Sequence, residues 1–100
     1  MSDKVKKENY LWIITETRPD QEETLVGMEH PDGEAFIPAT REKDQALILL
    51  GRLPAGQGQR QVEAIHRVRL LDQAAEQGFV VYLVDDQGRV LERLSKQAAS

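Results

Sequence analysis

The chain has 100 residues, 40% apolar and 30% charged, with a formal net charge of −4. That composition fits one globular domain with a modest core and excludes a disordered or collagen-like chain. It has no cysteine, so disulfides, thiolate metal sites and cysteine nucleophiles are excluded; its longest apolar runs fall far short of the ~20 residues that span a bilayer.

Residues Met1–Asn9 are polar and lysine-rich and read as a flexible tail, with no signal-peptide apolar region after them. The domain is expected over residues 10–94, with Ser95–Ser100 frayed. Tyr10–Thr17 is rich in aromatic and β-branched residues and predicts a strand. Pro19 lacks an amide donor and presses Arg18 toward extended backbone, so Arg18–Glu23 reads as a loop. Thr24–Glu29 and Glu34–Pro38 predict two strands joined by the turn His30-Pro31-Asp32-Gly33, with Gly33 at positive φ.

Thr40 is placed to cap a helix with its hydroxyl. Ala46, Leu47, Leu50 and Leu53 then follow at helical spacing. Gly51 is expected to end that helix in a left-handed conformation before Pro54, and Pro54–Gln59 reads as a flexible loop. Arg60–Gln77 admits two readings. In a single helix, Val62 and Leu71, nine residues apart, face opposite ways. A strand at Gln61–His66 followed by a helix from about Val68 to Gln77 is preferred, with Gly78 as the stop. Phe79–Val84 predicts an inner strand, Asp85–Gly88 a turn with Gly88 at positive φ, and Arg89–Leu94 the return strand. The order β-β-β-α-β-α-β-β predicts an α+β domain: a mostly antiparallel sheet with two helices.

Ala35-Phe36-Ile37-Pro38 before a helix, Val62-Glu63-Ala64-Ile65, a Leu-Leu helix with Ala74-Ala75, and Gly78-Phe79 before a strand together resemble the small α+β module of SseB-like proteins and related bacterial domain families of unknown function. The resemblance covers about Trp12 to Leu91. It departs at Val84–Gly88, where the SseB-like pattern has an Asn-Pro turn. It implies fold and a bacterial, cytoplasmic setting, and brings no enzymatic activity with it.

No cofactor is expected. Gly51 and Gly56 stand at the interval of a phosphate-binding loop, but Gln57 and Gly58 replace its lysine and hydroxyl. No metal site is expected either: His30 lies near Glu29 and Asp32, yet there are two histidines in all and a zinc site commonly takes four Cys or His ligands. Ser2, Ser95 and Ser100 sit near the termini and His66 has no evident partner, so no catalytic residue is assigned.

What remains is binding. Trp12, the single tryptophan, reads as core or as an interface anchor. Arg52, Arg60, Arg67 and Arg69 with one acid, Glu63, make a local charge of +3. That stretch is either an ordinary solvated face or a basic stripe for a partner. Phe79–Val84 and Leu11–Ile14 are apolar at both parities, so both faces of the sheet are expected to be buried. The rival reading is that two short helices cover both faces, but about twenty helical residues suit one face; the other, with Tyr82 on one side of its strand, is expected to be hidden by a second copy or another protein. The expected function is a non-enzymatic, protein-binding accessory or regulatory module, with Trp12, Arg60, Arg67, Arg69 and Tyr82 as candidate contacts and a homodimer as the expected assembly. Nucleic-acid association through Arg52–Arg69 is the alternative; the acidic balance argues against it. No membrane contact is expected.

Overall fold

The computed structural model describes residues 9–54, 56 and 58–95. The expected tail and frayed end fall largely outside these residues, as do Ala55 and Gln57 of the expected loop. Among these residues nine elements follow in order: β1 (Tyr10–Thr17), β2 (Glu23–Leu25), β3 (Met28–Glu29), β4 (Ala35–Ala39), α1 (Lys43–Arg52), β5 (Gln59–His66), α2 (Arg67–Glu76), β6 (Val80–Val84) and β7 (Val90–Leu94). The α+β class is as expected, and the strand-then-helix reading of residues 60–77 holds.

The strands form two sheets, β2-β1-β5 and β3-β4-β6-β7. Among the described residues every strand pairing is antiparallel except β4 with β6. β1 and β5 pair along their full length, from Tyr10 opposite His66 to Thr17 opposite Gln59. The sheets are sewn together where Trp12 and Thr40 exchange both backbone hydrogen bonds, each 2.9 Å.

Thr24–Glu29 does not form one strand. Leu25 is the last residue paired to β1, and Met28 begins the pairing to β4. Gly27 stands at the crossing between sheets, where a Cβ would lie 3.2 Å from the Phe36 carbonyl oxygen. Thr40 does not cap α1. Glu42 holds the cap position without a side-chain bond, and the buried Thr40 hydroxyl donates instead to the Glu42 carbonyl at 2.9 Å. Gly51 does not stop the helix, which runs through Arg52. Gly33, Gly78 and Gly88 do take positive φ, at 95°, 81° and 84°.

The largest correction concerns the sheet faces. Leu11, Ile13, Ile37, Ala39, Val81 and Leu83 bury against Leu70, Leu71 and Ala74 of α2. The opposite parity, Ile14, Phe36 and Val84, buries with Leu49 of α1. Each helix therefore covers one face, and apolar residues at both parities need no second chain to hide them. Two helices suffice because α1 packs on β1 and β5 while α2 packs on β5 and β6, on opposite sides of the strands.

Candidate functional site

Tyr10 and Trp12 share the α1 side of β1 with Ile14, because alternate residues of a strand point the same way. His66 and Ala64 lie directly opposite them on β5. The Tyr10 and His66 rings meet edge-on at 5.3 Å. His66 is itself fixed, since its Nδ1 accepts the Val68 amide at 3.2 Å and so caps α2. Trp12 is half-buried, and Lys43 holds its ammonium 5.7 Å from the ring centroid. Ala64 is too small to cover the indole. One turn along α1 from Lys43, Leu47 is 47% exposed, and Tyr10 is 45% exposed. The result is a half-open aromatic and aliphatic face, bordered by β5, the outer strand of its sheet. No feature of Leu47 alone marks it in the sequence; its role depends on how α1 lies over β1.

Tyr82 is not part of this face. Its ring lies 4.9 Å from Phe36 and 6.0 Å from His30, and its hydroxyl donates to Glu34 Oε1 at 2.8 Å. That hydrogen bond to a carboxylate is the main reason the Tyr82 pKa is raised. Tyr82 thereby ties the β3–β4 hairpin to β6. His30 and Asp32 serve the same hairpin: Asp32 Oδ1 lies 3.2 Å from His30 Nδ1 and accepts the Glu34 amide at 3.0 Å. The Asp32 pKa is lowered, chiefly by that amide. Among the described residues no cluster of three metal-ligating side chains occurs.

The arginines do not form one stripe. Arg60 points to Glu16, with Nε 3.1 Å from Oε1, and donates from Nη1 to the Pro54 carbonyl at 2.6 Å. Both members of the pair are largely buried, at 19% and 14% side-chain exposure. Arg67 and Arg69 stand on a helix, where a two-residue step turns them about 200° apart. Arg67 borders a cavity with Arg41 and Glu92, and Arg69 borders a groove with Glu23 and Glu63. The glycines after α1 answer to the Glu16–Arg60 pair as well. The Gly58 amide donates to Glu16 Oε2 at 3.0 Å, so it serves a carboxylate of its own chain and not a phosphate.

Glu23 and Glu63 form a carboxylate pair that the sequence does not announce, since β1 must first bring β2 and β5 to its two edges. Thr15 on β1 and Gln61 on β5 donate to Glu63 Oε2 at 3.0 and 2.8 Å, and Gln61 reaches Glu23 at 3.2 Å. Hydrogen bonding between the carboxyls raises the Glu23 pKa and lowers that of Glu63. No protein-family model, no curated protein and no solved structure matches the chain. Among the described residues no helix is long and apolar enough to cross a membrane.

Proposed function

We propose that this protein is a non-enzymatic binding module of the bacterial cytoplasm, as the SseB-like resemblance suggests, and that it engages another polypeptide through the face formed by Tyr10, Trp12, Ala64, His66 and Leu47. The observation that carries the reading is the half-buried Trp12 ring opposite Ala64, with the exposed Tyr10 on the same side of β1 and the exposed Leu47 one turn along α1 from Lys43, whose ammonium lies over the ring. Tryptophan and tyrosine supply most of the energy of protein interfaces when they sit at the centre of a contact. The adjoining outer strand β5 offers backbone groups to an extended partner segment. A second copy of the chain is one such partner, joined face to face or edge to edge. The dispersal of Arg60, Arg67 and Arg69 favours this reading over nucleic-acid association, which draws on clustered positive charge.

Photo-crosslinking in the source cell tests this. A crosslinking residue at Ala64 is expected to trap one defined polypeptide, and Trp12→Ala is expected to abolish the adduct. An adduct of twice the chain's mass identifies the homodimer. Adducts no different from those at the exposed control position Asp20, or RNA as the trapped species, would overturn the proposal.

A further inference from the structure

A second site shares only Tyr10 with that face. Between the start of β1, the end of β7 and the first turn of α2 lies a cavity of about 460 Å3. That is within the roughly 300–1,000 Å3 typical of small-ligand clefts. Leu11, Leu83 and Leu94, buried members of the core beneath, form its apolar lining. Arg67, the first residue of α2, borders it half-buried. Among the described residues its guanidinium has no hydrogen-bond or ion-pair partner. A half-buried guanidinium beside leucines, with no carboxylate assigned to it, lacks the planar acceptor its fork fits best. The first turn of α2 also contains no acidic side chain, and its cap is the His66 ring, which accepts the Val68 amide but brings no negative charge to the positive end of the helix.

The other charges narrow the ligand. Arg41 touches Glu92 loosely at 3.9 Å, both side chains being mostly exposed, and Glu42 also borders the cavity. Two cations and two anions leave the lining neutral. With no excess positive charge to offset a multiply charged phosphate, it suits a single carboxylate better, and the leucines favour an aliphatic body. We propose that this cavity binds a terminal carboxylate bearing an aliphatic side chain, with Arg67 as its bidentate anchor. A free aliphatic amino acid and the C-terminus of a polypeptide share that chemistry. They differ in the ammonium, for which Glu42 and Glu92 are at hand. The inference does not depend on the Trp12 face.

Calorimetric titration of the full chain with leucine, N-acetyl-leucine and leucinamide tests it. Leucine or N-acetyl-leucine is expected to bind, and leucinamide, which lacks the carboxylate, to bind at least about tenfold more weakly, the scale of a lost charge-assisted hydrogen-bond pair. Tighter leucine binding identifies the free amino acid; equal or tighter N-acetyl-leucine binding identifies a polypeptide terminus. Arg67→Ala is expected to weaken the carboxylates to the level of leucinamide, Arg67→Lys to retain part of the affinity, and Arg89→Ala, on the distant β6–β7 turn, to change nothing. Leucinamide binding as well as leucine, unchanged binding by a folded Arg67→Ala, or no binding of either carboxylate at millimolar concentration would overturn the proposal. Should Arg67→Ala not fold, the leucinamide comparison and Arg67→Lys still decide.

Discussion

Gly58 donates its backbone amide to the carboxylate of Glu16, forty-two positions earlier, while Arg60 takes the other oxygen of the same group. One buried carboxylate thus fixes the loop after α1 onto the end of β1. Removing either charge leaves the other partly desolvated and unpaired, and Glu16→Ala or Arg60→Ala should cost about 2–3 kcal/mol. The double variant should cost less than the sum. Urea unfolding of the four chains measures the coupling, and strict additivity would show that the pair contributes nothing.

The same junction forbids a side chain at Gly58. A Cβ there would run into the Thr17 carbonyl, which is backbone and has no rotamer to change. Gly58→Ala should therefore lower the melting temperature even though alanine ordinarily stiffens a loop favourably. A neutral or stabilising result would mean that the loop moves freely off β1.

Gly88 and Gly33 both sit at positive φ in hairpin turns. A β-branched residue is strained there by about 1–2 kcal/mol. A Cβ at Gly33 meets nothing, whereas one at Gly88 already touches Leu49 and Met28 at 3.5 Å. Thermal melts should rank Gly88→Val as more damaging than Gly33→Val; the reverse order would contradict this packing.

The Glu23–Glu63 pair makes stability depend on pH in two opposed ways. Glu23, with its pKa raised on folding, supports the fold fully below its ordinary 4.5 and loses that support as pH rises through its folded value. Glu63, with a lowered pKa, contributes above its ordinary 4.5 and loses its contribution as pH falls through its folded value. Glu23→Gln removes the first effect outright and replaces the carboxyl hydrogen bond behind the second with one from an amide. It should raise the melting temperature at neutral pH, with the gain fading below pH 4.5. A loss of stability at neutral pH would show that the Glu23 carboxylate is itself stabilising.

Two leucines two positions apart on α1 separate packing from binding. Leu49 is buried, and Leu49→Ala should cost about 3 kcal/mol through the cavity it leaves. Leu47 is exposed by almost half, and Leu47→Ala should cost under about 1 kcal/mol. By the proposed function, Leu47→Ala should nonetheless weaken the Ala64 crosslink. Equal stability losses would place Leu47 in the core and remove it from the binding face.

Local chemistry made much of the fold legible. The β-branched run Tyr10–Thr17, the Pro31-Asp32-Gly33 and Gln87-Gly88 turns and the stop at Gly78 each carry their conformation in a few adjacent residues, and each stands as expected. Features set by distant partners were not legible. Thr40 looked like a cap because its hydroxyl suits one, but pairing with Trp12 turned it into the bridge between sheets. The strand expected over Thr24–Glu29 broke because its two halves pair with different neighbours.

The candidate site divides the same way. Sequence by itself determined that Trp12 stands on a strand apolar at both parities, and that this requires cover on two faces. Only the tertiary structure decided that α1 and α2 supply it from opposite sides, since nothing local dictates which side of a sheet a helix crosses. The arginines were visible as a cluster of charge, but charge along a chain is not charge across a surface. A strand end and a helix start sent Arg60 to Glu16, Arg67 to the leucine-lined cavity and Arg69 to the carboxylate groove. Side-chain direction follows backbone geometry, and contact between distant residues follows from how the elements pack, so composition and spacing named the groups available while packing determined which of them meet.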